Sequence, residues 1–126
     1  MCGQNKKVND IHAISKSDSV FFTVNTSGCF NSGAVVYVMV KSKKNSRKII
    51  FEKEGKRFSK EITSKKFKVF LDNYEKSMQR FSSDTPSTCT LVTDFELSNG
   101  KAKVTFTNGT CQNEFNPELT LENLLK

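Results

Sequence analysis

Apolar residues along this chain change their spacing twice, from a strand-like period to a helical one and back. Val20, Phe21, Phe22, Thr23 and Val24 have the β-branched and aromatic content of a strand, which Asn25-Thr26-Ser27-Gly28 ends with turn formers. Residues 34–40 are apolar at both parities, which predicts a central strand covered on both faces. The runs 48–52 and 57–62 flank Glu54-Gly55-Lys56 and predict a hairpin with glycine at the bend. Phe67, Phe70, Leu71, Tyr74, Met78 and Phe81 then recur at helical spacing, one stripe of an amphipathic helix. Thr63 or Ser64 stands where a side-chain oxygen can cap its first turn.

Beyond Pro86 the period returns to two. Leu91, Thr93, Phe95 and Leu97 share one face, and Ala102, Val104 and Phe106 share a face of the next strand. Asn99-Gly100 favours the positive φ angles of a two-residue turn, which sets Leu97 opposite Ala102 and Phe95 opposite Val104. The same register brings Cys89 opposite Thr110, one residue from Cys111. With a single bulge it predicts a Cys89–Cys111 disulfide and leaves Cys29 unpaired. Asn116-Pro117-Glu118 reads as the start of a short final helix whose apolar side is Leu121, Leu124 and Leu125. The predicted order is β-β-β-β-α-β-β-α. The fold class is α+β, an antiparallel β-sheet with one amphipathic helix packed on one face. Residues 1–18 are polar and irregular and read as an N-terminal tether, with Ile11 and Ile14 packing at its end. Residues 19–126 form a single domain.

Composition sharpens this picture in two places. With 11 Phe and no Trp, phenylalanine must supply most of the aromatic core. No run approaches the ~18 apolar residues of a membrane-spanning helix. The net charge of +7 is uneven: residues 41–68 hold 12 Lys/Arg against 3 Glu, while the rest of the chain is slightly acidic. Such a one-sided field suits an anionic partner. Lys48, Lys53, Lys56, Arg57 and Lys60, around the predicted hairpin, are the expected partner-binding side chains.

Catalytic chemistry finds little footing. A thiol nucleophile needs a base in reach, and the one histidine, His12, lies on the expected tether, far in sequence from Cys29. Asp94 and Glu96 share the strand face opposite Phe95 and read as a solvated pair. The four cysteines form no CxxC pair, so no metal and no cofactor is expected. Gly28 and Gly33 lack the following helix of a phosphate-binding loop. Phe51 and Phe58, amid the hairpin cations, read as its inward face and not as base-stacking platforms, so no nucleic acid is expected. Asn25-Thr26-Ser27 and Asn108-Gly109-Thr110 match the glycosylation sequon, which matters only in a eukaryotic secreted protein.

The opening Cys2-Gly3-Gln4-Asn5-Lys6-Lys7 resembles the mature start of a bacterial lipoprotein. The resemblance implies a lipid on Cys2, with Met1 standing where a signal peptide was cut, and a periplasmic domain anchored to a membrane. If Met1 is the native start, the chain is cytoplasmic and Cys2 an ordinary cysteine. Ser27-Gly28-Cys29-Phe30, followed by a strand with Tyr37, a hairpin, a helix and another hairpin, is similar to a family of small bacterial envelope proteins of unknown function. The similarity covers the order of elements over residues 20–107 and four or five motif residues. The chain departs from the family at Asn31-Ser32-Gly33-Ala34, where no second cysteine or proline follows, and its tyrosine is displaced by one position. The expected function is a non-enzymatic, membrane-tethered binding protein, monomeric, such as an inhibitor or immunity protein for an anionic protein partner. The alternative is a structural envelope component contacting anionic lipid or polysaccharide.

Overall fold

The computed structural model describes residues 10–28, 33–53, 55–80, 91–108 and 117–125. A short helix, α1 (10–15), precedes β1 (Ser19–Gly28), β2 (Gly33–Lys41), β3 (Ser46–Lys53) and β4 (Lys56–Thr63). The helix α2 (Ser64–Arg80) follows, then β5 (Leu91–Ser98), β6 (Lys103–Asn108) and α3 (Pro117–Leu124). The strands form one antiparallel sheet in the order β4-β3-β2-β1-β5-β6. From β1 on, the order of elements is the one expected from periodicity. Because β4 lies at one edge and β5 beyond β1, the connection through α2 must cross the sheet. That crossing seals one face.

The sealed face carries the core. Phe22 of β1 meets Tyr37 at 5.6 Å and Phe70 edge-on at 4.9 Å, and Phe95 stacks on Phe106 at 4.8 Å. Phe67, Phe70, Leu71, Tyr74 and Met78 are all buried, as their spacing predicts, and Phe81 lies outside the described residues. The Tyr74 hydroxyl donates to the carbonyl of Val104 at 2.6 Å, anchoring α2 to β6. Thr63 caps α2, its Oγ1 accepting from the Lys66 N–H at 3.2 Å. The helix α3 packs beside α2 with Leu121 buried, and the Tyr37 hydroxyl donates to Glu118 Oε2 at 2.9 Å.

Ile11 and Ile14 of α1 are buried in the core, the packing expected at the end of the N-terminal segment. Two expectations change. The second face of β2 is open. No described element covers Val36 (45% exposed) or, on the same face of β1 opposite Val38, Phe21 (36%). Apolar residues at both parities here follow from a position inside the sheet, not from a second covering layer. The last hairpin is also shifted by two residues, with Leu97 opposite Val104 and Phe95 opposite Phe106. Asn99 is the cause. Its Oδ1 accepts from the N–H groups of Lys101 (2.9 Å) and Ala102 (2.7 Å), making a four-residue turn around Gly100, whose φ is +89°. A shift of two keeps every side chain on its expected face. Cys89 and Cys111 lie outside the described residues, as do Cys2 and Cys29.

Candidate anion-binding cleft

The fold divides the expected contact residues between two surfaces. In register, Lys48 stands opposite Glu61 and Arg57 opposite Glu52, all on the open face. Lys53, Lys56 and Lys60 share the parity of Ile49 and lie on the helix-bearing side, at the sheet edge. Lys53 pairs with Glu122 of α3 at 2.9 Å. The hairpin cations therefore do not converge, and a charged edge strand also serves to block pairing with another sheet. Asp94 and Glu96 lie on the open face, Asp94 accepting from Thr107 and Glu96 pairing with Lys103 at 3.0 Å.

Other cations of the basic stretch do converge. A cleft of about 500 Å³ opens between α1, the β2–β3 turn and the first three turns of α2. Its walls include Lys16 from α1's exit, Lys43 and Lys44 from the turn, Lys41 and Arg47 from the strand ends that flank it, and Lys68 from α2. Asp72 and Glu75 are the acidic wall residues, and Ile11, Phe67 and Leu71 supply apolar surface. The turn is held in place by its own backbone. Ser64 N–H donates to the Asn45 carbonyl at 2.8 Å, and Ser42 N–H to the Ser46 carbonyl at 3.2 Å. The start of α2 is thus locked against the lysine-rich turn.

Arg47 organises the cleft floor. It shares the parity of Ile49 and Phe51, which turns it toward the helices, where it is 4% exposed. Nη2 donates to the carbonyls of Ser15 (2.9 Å) and Ser17 (2.7 Å), fastening the end of α1 to β3. The guanidinium lies over the Phe67 ring at 4.3 Å. Nη1 has no hydrogen-bond partner among the described residues. Burial pushes the guanidinium below its ordinary pKa, and the charge of Asp18 opposes that shift. A cation this deep, with a donor unspent, raises the positive potential of the walls above it.

The charges around α2 oppose its dipole. Its first turn contains no acidic residue and carries Lys65 and Lys66, with Lys68 just beyond. A helix N-terminus favours negative charge, so each lysine there costs a few tenths of a kcal/mol to about 1 kcal/mol. Lys43, Lys44 and Arg47 add to the same field. Of the cleft lysines, Lys41 reaches a carboxylate, Asp18 at 3.6 Å, and no ion pair to Lys16, Lys43, Lys44 or Lys68 occurs among the described residues. An anion placed here would relieve the repulsion and meet the helix dipole in its favourable sense. Among the described residues no three His, Cys, Asp or Glu side chains gather as metal ligands, and no helix is long and apolar enough to cross a membrane.

The sequence carried a signal for this cleft: Lys41, Lys43, Lys44 and Arg47 cluster between two strands, inside the basic stretch. Their meeting with Lys16 and Lys68 needs the topology. Comparison with protein-family models and with curated proteins finds no match to this chain.

Proposed function

We propose that this protein is a non-enzymatic binding module that receives an anionic part of a protein partner in the cleft between α1 and α2. The observation that carries the reading is the convergence of Lys16, Lys41, Lys43, Lys44, Arg47 and Lys68 on one cavity against two carboxylates. Those cations crowd the positive end of a helix, an arrangement that favours the bound state electrostatically. The lipoprotein-like start at Cys2 supports placing the module on a lipid tether at the periplasmic face of a membrane. There, an inhibitor or immunity protein that neutralises an acidic toxin or enzyme is the concrete form of the proposal.

Charge reversal tests it. The partner is captured from a periplasmic extract by the wild-type protein, and its binding is measured against two double variants. Lys43→Glu with Lys44→Glu reverses the cleft, and Lys56→Glu with Arg57→Glu reverses the hairpin tip. The cleft variant is expected to slow association by tenfold or more and to flatten its salt dependence. Binding that survives cleft reversal but fails on hairpin reversal would move the contact to the β3–β4 tip. Binding that tolerates both reversals and ignores salt would refute an electrostatic site.

A further inference from the structure

The cleft is not uniformly basic, and its polarity selects among anionic partners. Arg47 bonds the Ser15 and Ser17 carbonyls, so the end of α1 and Lys16 sit at the same end of the cleft as the β2–β3 turn. The Ser64–Asn45 bond places the N-terminus of α2 at that end too. Down α2, the lining residues run Ser64, Phe67, Lys68, Leu71, Asp72, Glu75, a single line along the helix. Lys16, Lys41, Lys43, Lys44 and Arg47 therefore occupy one end and the carboxylates of Asp72 and Glu75 the other, with Lys68 one turn before Asp72. Ile11, Phe67 and Leu71 form apolar wall between them. No ion pair to Asp72 or Glu75 occurs among the described residues.

Resting on the reading of the cleft as a partner site, we infer that its occupant is an extended, bipolar peptide segment. A carboxylate of that segment seats at the N-terminus of α2, and a cationic side chain seats on Asp72 and Glu75. The geometry sets its length. Ser64 and Asp72 are eight residues apart, about 12 Å along the helix axis at a rise of about 1.5 Å per residue. An extended chain covers that span in about four residues at ~3.3 Å each. A lipid headgroup with phosphate and ammonium joined by two carbons is too short to satisfy both ends. A free phosphate or polyanion meets one end and is repelled by the other. A cavity of about 500 Å³ takes a few side chains and not a folded element. The apolar wall favours aliphatic residues between the charged ones.

The test uses four blocked tetrapeptides titrated into the isotope-labelled full chain and followed by amide chemical shifts. Two are bipolar with opposite chain directions, Asp-Leu-Leu-Lys and Lys-Leu-Leu-Asp. Two are controls, Asp-Leu-Leu-Asp and Lys-Leu-Leu-Lys. One bipolar peptide is expected to bind about tenfold more tightly than the all-acidic control, with shifts confined to α1, the β2–β3 turn and α2. Asp72→Lys with Glu75→Lys should invert that preference toward the all-acidic peptide, while leaving the fold's spectrum otherwise intact. An all-acidic peptide that binds the wild type as well as either bipolar one, with no effect of the Asp72 and Glu75 reversal, overturns the inference and leaves the anion-binding reading standing. If no acid-containing peptide moves any cleft resonance, both fall.

Discussion

Replacing Tyr37 with phenylalanine removes one oxygen from the seat of α3 and little else. The ring is fully buried and packs on Phe22 and on Phe51, whose centroid is 4.9 Å away, and Phe keeps those contacts. What is lost is the 2.9 Å bond from the hydroxyl to Glu118. A hydrogen bond to a charged acceptor is worth about 1.5–3 kcal/mol, and that is the expected loss at pH 8. The pH dependence fixes the sign. Burial raises Glu118 above the ordinary carboxylate value; the Tyr37 bond draws it back, the charge of Glu122 raises it further, and Lys53 lowers it. Burial also holds the Tyr37 hydroxyl far above its ordinary value, beside the Glu118 charge, so it stays a donor at every pH tested. A carboxylate raised in the folded state takes up its proton more readily there than in the unfolded chain. Ionised Glu118 therefore weighs against folding, and that cost is incurred as pH rises from about 4.5 through the folded value. Tyr37→Phe removes support for the ionised form, so its penalty is largest at pH 8 and shrinks toward pH 4. Glu118→Gln keeps an acceptor without a charge, so it should cost less than Tyr37→Phe and flatten the pH profile. Urea unfolding of the three proteins at pH 4, 6 and 8 measures this. A Tyr37→Phe penalty under about 0.5 kcal/mol at pH 8, or one that grows toward pH 4, would refute the argument.

Phe70→Ala should cost about 3–5 kcal/mol in chemical denaturation, whereas Lys68→Ala, on the exposed side of the same helix, should leave stability nearly unchanged. Thr63→Ala removes the oxygen that caps the Lys66 N–H and should lower stability by about 0.5–2 kcal/mol without altering the urea slope. Arg47→Met keeps the aliphatic stem but strips the Ser15 and Ser17 carbonyls of their donor. Hydrogen exchange should then accelerate over residues 10–17 before the sheet is affected.

Periodicity carried most of the fold because the strands and α2 each bury one side, and a one-sided element writes its period into its own residues. The faces of β5 and β6 were legible even where their register was not. A two-residue slip preserves parity, and the slip arose from an Asn99 side chain that turn preferences alone did not weigh. The open face of β2 was misread for a related reason. Val36, Val38 and Val40 suit a strand flanked by others whether or not a second layer covers them, so apolar content could not distinguish the two cases.

The N-terminal segment and the cleft show where local reading ends. Ile11 and Ile14 make a single helical turn, and a helix that short does not hold itself together in water. Its stability comes from the burial of Ile11 and Ile14 in the core and from Arg47, thirty residues away, whose guanidinium bonds the two carbonyls at its exit. In the sequence Arg47 is one more cation of the basic stretch; its parity with Ile49 and Phe51 on β3 is what sends it inward. The same rule explains the candidate site. Net charge located the basic stretch, but period two splits the cations of a strand between two faces, so strands β3 and β4 cannot concentrate them. A turn is free of that alternation. Lys43 and Lys44 can therefore gather beside Lys41 and Arg47, the paired strand residues on either side, and α2 begins at the same point because Ser64 is bonded to Asn45. A basic cleft thus belongs at the junction of turn and helix, and charge carried by the flanking strands is better placed to keep the sheet edge from pairing.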